Sequence, residues 1–321
     1  PILEVEDLRV YFDTIYGDAK SVDGVSFKVY EKEILGIAGE SGCGKSTLVE
    51  AILRLIKPPG YINSGKVLFK GVDLLGLKEK ELRKIRWKEL SYIPQGSMNA
   101  LNPVLKIEEQ IVDGIRTHSA ASREQAKKMA AAALNAVGMP VEVAEMYPHE
   151  LSGGMRQRAS IGMSTSLKPT MILADEPITA LDVIMQRLNL QTIADLRKNF
   201  GITILMVAHD MACHAEIVDR ICVMYAGKLI EIGPVDDIFK EPLHPYTQAL
   251  LEAVPSLEDR HAKSIPGLAP SPLNQPSGCR FHPRCPYRMD ICSEEVPVLQ
   301  QVKSGRHVAC HPTYMRTVVE S

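Results

Sequence analysis

The chain has 321 residues, with 37 Lys and Arg against 39 Asp and Glu, giving a net charge of −2 at pH 7. That length predicts two domains or one large domain with an appendage, and the near-neutral balance lacks the strongly basic face on which nucleic-acid binding depends. Hydrophobic residues at 45% and charged residues at 24% are ordinary for a globular protein, and no apolar run approaches the ~18–20 residues of a membrane span.

The opening, Ile2 to Val29, alternates apolar and polar residues in two short runs, Leu8 to Phe12 and Val25 to Val29, which predict antiparallel strands. An exposed aromatic here would stack on a purine, with Phe12 as first candidate and Tyr11 and Tyr16 behind it; ordinary strand packing is the competing reading. Ile34 to Ala38 then reads as a buried strand, followed by Gly39-Glu-Ser-Gly-Cys-Gly-Lys-Ser-Thr47. Leu48, Ala51, Ile52, Leu55 and Ile56 continue at helical spacing. This is the strand, loop and helix that the pattern G-x-x-x-x-G-K-[ST] requires, against the plainer reading of a glycine-rich turn with a chance lysine. Gly39, Ser41, Gly42, Cys43 and Gly44 would bring backbone N–H groups to phosphate oxygens at a helix N-terminus. Lys45 would reach the β- and γ-phosphates, Ser46 would ligate Mg2+ and Thr47 would hold the α-phosphate.

Pro58 to Gly71 holds turns around a strand, Lys66 to Phe69, and a charged helical stretch runs from Lys78 to Glu89. Leu90 to Ile93 is a further strand, closed by Pro94 and Gln95. A glutamine just past a strand end is either a surface residue or a contact to Mg2+ and the attacking water. From Gly96 to Glu150 the pattern is helical: Ser122 is a predicted N-cap, Ala126, Met129, Ala130, Ala133, Leu134 and Val137 form one apolar stripe, and Gly138 closes the helix. That region implies packing and no cofactor.

Ser152, Gly153 and Gly154 in Leu151 to Arg158 either mark a turn or present N–H groups to an anion at a helix start. Met171 to Ala174 is a short buried strand ending in Asp175-Glu176-Pro177, which sets carboxylates at a strand's carboxyl end. Asp175 would hold the Mg2+ hydration shell and Glu176 would polarise the attacking water as general base. Ala180-Leu-Asp182 introduces a helix, and Ile202 to Ala208 is a strand ending at His209, either structural or a hydrogen-bond partner of the γ-phosphate.

These motifs, in this order, resemble the ATP-binding-cassette (ABC) ATPases. Gly39 to Thr47 is similar to the family's Walker A motif, Gln95 to the Q-loop, Leu151 to Met155 to the signature, Met171 to Glu176 to Walker B, Ala180 to Asp182 to the D-loop, and His209 to the switch histidine. Phe12 stands at the spacing of the A-loop aromatic. Met155, where many members carry Gln, and Ile178, where Ser or Thr is usual, are departures. The resemblance implies an α/β fold: a P-loop NTPase core with an antiparallel β subdomain and an α-helical subdomain, hydrolysing ATP with Mg2+. Glu176, His209 and Gln95 would be catalytic, and Ser46, Gln95 and Asp175 would hold Mg2+. Phe12, the loop residues 39 and 41–47, Ser152, Gly153, Gly154 and Asp182 would contact ATP. Such cassettes work as head-to-tail pairs with ATP between Walker A of one and the signature of the other. One set of motifs therefore implies a second cassette, identical or paralogous.

The expected division is a nucleotide-binding domain over 1–235, with its helical part at about 96–165, and a C-terminal extension over 236–321 that carries a small, irregular, cysteine-rich domain. Past Val235, His244 to Leu251 predicts a short helix and Pro255 to Pro276 an irregular linker. His244-Pro-Tyr-Thr and Gly278 to Pro286 resemble the extension of the oligopeptide and dipeptide importer ATPases, with nickel importers as close relatives. Cys279, Cys285, Cys292 and Cys310 have the spacing C-x5-C-x6-C-x17-C, and some members of this branch hold a [4Fe–4S] cluster on such a set. Four thiolates also suit zinc, although the C-x2-C knuckle of structural zinc is absent. Unligated thiols are the third reading, against which so small a segment needs a staple. Arg280, Arg284, Arg288 and Arg306 would either offset a cluster's charge or form a solvated face, and His282, His307 and His311 are left out of the ligand set. The expected role is structural or redox-sensing. Cys43, at a helix N-terminus, either has a lowered pKa and reacts readily or merely fills space.

The resemblance implies an importer ATPase that energises uptake of dipeptides or oligopeptides. Its partners would be two integral-membrane permeases, docked on the 96–150 region and the Q-loop, and an extracytoplasmic peptide-binding protein. No secretory leader pattern opens the sequence, so a peripheral place on the cytoplasmic face of the inner membrane is expected. Nickel import, a soluble ABC ATPase without transport, and a regulatory sensor are the alternatives. Neither heptads nor tandem cassettes favour the soluble class.

Overall fold

The computed structural model describes residues 1–96, 100–178, 182–253 and 265–311. Its contacts divide the chain into two compact units, the first made of Pro1–Val29, Leu35–Leu75 and His209–Ser321, the second of Tyr30–Ile34 and Gly76–Ala208.

In the first unit, β1 (Leu3–Thr14) pairs antiparallel with β2 (Gly17–Val29) and with β4 (Gly60–Phe69), which carries the short β5 (Val72–Asp73). Both predicted runs lie inside β1 and β2. The strands are longer than the alternation suggests because register shifts near Val5 and Leu8 turn the pattern over, so that one face no longer keeps a strict period of two. β3 (Ile34–Ala38) is buried throughout and pairs in parallel with β9 (Arg220–Tyr225). β9 turns back antiparallel into β10 (Lys228–Pro234), and β10 accepts β12 (Arg306–Val308) and, beyond it, β11 (Gln300–Lys303). Helices α1 (Lys45–Ile52), α7 (Met211–Ile217), α8 (Val235–Lys240), α9 (Pro245–Glu252) and α10 (Ile291–Glu294) complete the unit. The cysteine-bearing extension thus shares a compact unit, and a sheet, with the glycine-rich loop.

In the second unit, β6 (Leu90–Ile93), β7 (Met171–Asp175) and β8 (Thr203–Val207) run parallel in the order 6-7-8. β7 and β8 are fully buried and, apart from Asp175 and Thr203, continuously apolar. Such runs are what a parallel strand covered on both faces requires. Around them stand α2 (Glu79–Ile85), α3 (Ile107–His118), α4 (Arg123–Ala136), α5 (Gly153–Thr165) and α6 (Val183–Phe200). The predicted cap is present: Ser122 Oγ accepts the N–H of Gln125, and Gly138 follows α4 with φ of 67°. Trp87 fills the hole left by Gly114 on α3 and donates its indole N–H to the Met163 carbonyl at 3.2 Å. The mixed α/β architecture expected from the sequence is therefore present: an antiparallel sheet, parallel strands and a helical region.

Candidate active site

Two glycines fix the loop between β3 and α1. Gly39 leaves β3 with φ of 150°, where a Cβ would collide with the Met224 carbonyl oxygen. Gly44 takes the N-cap of α1 with φ of 103°, where a Cβ would collide with the Ser21 carbonyl oxygen. Any larger residue at either place meets backbone, which cannot move aside. Between them Ser41 and Gly42 are exposed, and Ser46 and Thr47 are half-buried on the first turn of α1. Lys45 is 4% exposed, and its Nζ donates to the carbonyls of Gly39 at 2.8 Å and Glu40 at 2.9 Å. The ammonium is thus held inside the loop by two backbone carbonyls.

Of the two readings of Cys43, the structure favours the space-filling one over the reactive thiol. It is 5% exposed, and burial pushes its pKa up despite the opposing pull of Lys45, whose Nζ lies 3.8 Å from Sγ. Desolvation here outweighs the helix terminus, so the thiolate is scarce and shielded at neutral pH.

Of the three aromatics, Tyr11 is committed elsewhere: it is buried, its hydroxyl donates to Asp23 Oδ1 at 2.7 Å, and its ring meets Tyr61 edge-on. Phe12 is half-buried with its ring against Gly60, and Tyr16 is 82% exposed at the β1–β2 turn.

In the second unit the predicted carboxylates end β7. Asp175 is 1% and Glu176 4% exposed. Glu176 adopts φ of 49°, a left-handed backbone that a non-glycine residue keeps only when its surroundings hold it. Its N–H donates to the Val207 carbonyl at 3.0 Å, and Gln95 Nε2 donates to its Oε2 at 2.7 Å. The structure therefore joins two predicted residues, Gln95 and Glu176, into one hydrogen-bonded pair. Ser152 Oγ caps α5 by accepting the Met155 N–H, and Gly154 lies where a Cβ would strike Met185 of α6, so this glycine serves close helix packing as well as a helix start. Asp182 caps α6 by accepting the Met185 N–H at 2.9 Å. Ala180 and Leu181, predicted as its lead-in, lie outside the described residues. His209 is exposed and belongs to the first unit, followed by Asp210, whose carboxylate caps α7.

The four tail cysteines line one small cavity together with His244, His282, His311 and Phe281. All four are free thiols. Backbone N–H groups reach three of the sulfurs: those of Phe281 and His282 reach Cys279, that of Tyr287 reaches Cys285 and that of His311 reaches Cys310. Burial and neighbouring thiols push Cys285 up to about 11 and Cys310 up to about 12. Such buried, N–H-bonded sulfurs are costly as bare thiolates and suited to ligation. Among the described residues no three His, Cys, Asp or Glu side chains gather as the ligands of a metal ion. His244 is fully buried and neutral, with its pKa pushed down to about 3 by desolvation; Nδ1 accepts the Tyr246 N–H at 3.0 Å, capping α9.

Three of the four tail arginines pair with carboxylates rather than forming a solvated face. Arg280 pairs with Asp23, Arg306 with Glu231, and Arg284 with Glu40 inside the phosphate loop. Arg288 is exposed. Sequence reasoning missed these pairs. The His-Pro-Tyr element was visible as a helix start, but nothing local ties residue 284 to residue 40.

The family model described as ABC transporter matches residues 22–179, and the model described as oligopeptide/dipeptide transporter, C-terminal region, matches residues 230–292. The dipeptide transport ATP-binding protein DppD of Caldanaerobacter subterraneus subsp. tengcongensis is 43% identical over 318 residues, covering 97% of this chain and 96% of the relative. The oligopeptide transport ATP-binding protein OppD of Bacillus subtilis is 42% identical over 313 residues, covering 96% of this chain and 87% of the relative. Among solved structures, the dimeric bacterial ABC transporter cassette MJ0796 superposes with a TM-score of 0.66 at 26% identity, over 73% of this chain and 98% of that one. A post-hydrolysis state of the same cassette, bound to ADP and Pi, gives 0.65 at 27% identity, over 73% of this chain and 98% of that one.

Proposed function

We infer how this chain works from the premise that it belongs to the ATP-binding subunits of the dipeptide and oligopeptide ABC transporters, and that it hydrolyses ATP to energise peptide import. It works with membrane permeases, and among the described residues no helix is long and apolar enough to cross a membrane, in keeping with peripheral association.

The observation that carries the hydrolytic reading is the 2.7 Å hydrogen bond from Gln95 to Glu176. Loop N–H groups and Lys45 Nζ bind the phosphates, and Ser46, Gln95 and Asp175 would hold Mg2+, which screens the developing charge. Asp175, buried at the end of β7, suits a hard cation. Glu176 accepts a proton from the attacking water, and Gln95 keeps the accepting oxygen in place. Ser152, Gly153, Gly154 and Asp182 serve ATP bound to a second cassette, identical or paralogous. His209 contacts the γ-phosphate and Phe12 the adenine. A Glu176→Gln variant that still binds Mg·ATP and releases no phosphate supports the assignment; undiminished phosphate release overturns it.

The partners proposed are that second cassette, two permeases and an extracytoplasmic peptide-binding protein, at the cytoplasmic face of the inner membrane. Peptide cargo is favoured over nickel by the names of the relatives, which are dipeptide and oligopeptide transport proteins. On the tail, the lining of one cavity by four free cysteines, three of them reached by backbone N–H groups, supports a [4Fe–4S] cluster held by Cys279, Cys285, Cys292 and Cys310. The cluster would supply a staple that responds to redox conditions. Iron and acid-labile sulfide near four per chain, measured after anaerobic purification, support it; zinc alone overturns it.

A further inference from the structure

Glu40 sits inside the phosphate loop, and the C-terminal extension holds it by both its backbone and its side chain. Its N–H donates to Tyr246 Oη at 2.8 Å. Its carboxylate accepts two hydrogen bonds from one guanidinium, Arg284 Nη1 to Oε2 at 2.7 Å and Arg284 Nη2 to Oε1 at 3.0 Å. A two-pronged pair of this kind fixes orientation as well as distance, and the Arg284 side chain is only 7% exposed, so solvent screens it far less than an ordinary surface pair. The carbonyl of the same Glu40 also accepts from Lys45 Nζ. Glu40, together with the Gly39 carbonyl, therefore holds the phosphate-binding ammonium.

Both gripping residues are tied to the cysteine cavity. Arg284 directly precedes Cys285, and its guanidinium packs over the rings of Tyr225 and Phe281. Tyr246 hydrogen-bonds through its N–H to His244, and both His244 and Phe281 line the cavity. Tyr225, Tyr246 and Phe281 form one buried cluster, with ring centroids 4.6 to 5.4 Å apart, against which Cys279 and Cys285 pack. The cavity wall and the phosphate loop are thus joined through this buried cluster, and a packed core transmits displacement.

We propose that the four-cysteine segment and the nucleotide site are coupled through Glu40, with Tyr246 and Arg284 as positioning residues that keep the phosphate loop ready for nucleotide while the segment is closed. The proposal rests on the reading of this loop as the Mg·ATP site. Coupling of binding free energies is reciprocal, so nucleotide in the loop must in turn hold the cysteine segment closed.

The test uses the full chain, purified anaerobically and stripped of any bound iron or zinc with a chelator so that the four thiols stand free as in the structure, and two measurements. One is titration with a fluorescent ATP analogue and Mg2+; the other is the rate at which a maleimide modifies each cysteine, resolved by peptide mass spectrometry, with and without a non-hydrolysable ATP analogue. Nucleotide is expected to slow modification of Cys279, Cys285, Cys292 and Cys310 by about fivefold, and Arg284→Met to weaken nucleotide binding by about five- to tenfold and abolish that protection. Arg284→Lys keeps the charge without the fork and should recover only part of both effects. Tyr246→Phe removes one hydroxyl from an intact ring cluster, and carries the test if Arg284→Met does not fold: reduced affinity and reduced protection together support the coupling. Nucleotide binding that leaves all four cysteine rates unchanged, or variants with wild-type affinity, overturns the coupling alone. A wild-type chain that binds no nucleotide overturns the loop assignment and the proposal with it.

Discussion

Gln95 Nε2 donates to Glu176 Oε2 across 2.7 Å, joining residues 81 positions apart into one acidic pair. Two constraints therefore meet on Glu176: this hydrogen bond on the carboxylate and the N–H to Val207 carbonyl bond behind a left-handed backbone. Removing the base and removing its holder should differ in degree. Glu176→Gln is expected to lower phosphate release by about 10²–10³-fold with nucleotide affinity within about threefold, the general-base signature. Gln95→Ala should lower kcat by about tenfold with KM little changed. Steady-state phosphate release and equilibrium nucleotide titration measure both.

Gly44 cannot carry a side chain. With φ of 103° and the Ser21 carbonyl in the place of a Cβ, Gly44→Ala combines backbone strain with a collision against main chain. The expected cost is about 2 to 4 kcal/mol, read as a lower melting temperature, together with loss of nucleotide binding because the loop must deform.

Asp23 gives a pH signature. Burial raises its pKa, but the Tyr11 hydroxyl and then Lys228, Arg280 and Arg9 pull it below the usual carboxylate value, to about 2. A carboxylate lowered by folding adds stability that is present above its unfolded value near 3.8 and lost as pH falls towards 2. Asp23→Asn should therefore cost about 2 kcal/mol at pH 7 and little at pH 2, a difference that urea unfolding at the two pH values resolves.

Glu231 and Arg306 form an ion pair at 3.1 Å with side chains 0% and 1% exposed. Glu231 also accepts the N–H groups of Leu243 and His244, so it positions the entry to α9. Arg306→Met strands that charge and should cost about 3 to 5 kcal/mol, whereas the pair Glu231→Gln with Arg306→Met should cost less than the sum of the two single changes. A double-mutant cycle in denaturant gives the comparison.

Cys43 should resist alkylation. Its raised pKa leaves the thiol protonated at neutral pH, and its rate with iodoacetamide should climb only as pH passes above the ordinary thiol range, staying about a hundredfold below an exposed cysteine at pH 7. Peptide-resolved labelling from pH 7 to 10 tests it, and rapid labelling at pH 7 would contradict the burial argument.

What the sequence disclosed was local. Gly39 to Thr47, the strand ends at Gln95 and Asp175, and the cap at Ser122 each follow from spacing within a few residues, since glycine, carboxylate and hydroxyl do their work beside their own position in the chain. What it hid was distant. Asp23 finds Arg280 across 257 positions and Glu40 finds Arg284 across 244, and an arginine's composition says nothing of which carboxylate it will meet. Arg284 stands beside Cys285 in the chain, yet its guanidinium is spent on Glu40. The two readings of Cys43 stayed open for a related reason: a helix terminus can be read from the sequence, but the walls that desolvate the thiol arrive with the tertiary fold.

The hairpin of β11 and β12 lies along β10, with Glu231 opposite Val308 and Ile232 opposite His307. Trimming the chain to a bare cassette would strip that cover and leave the apolar strand around Ile230 and Ile232 as a ragged border with vacant amide and carbonyl groups. Such a fragment would tend to recruit strands from its neighbours, and its poor yield would report on self-association rather than on any failure to turn over ATP.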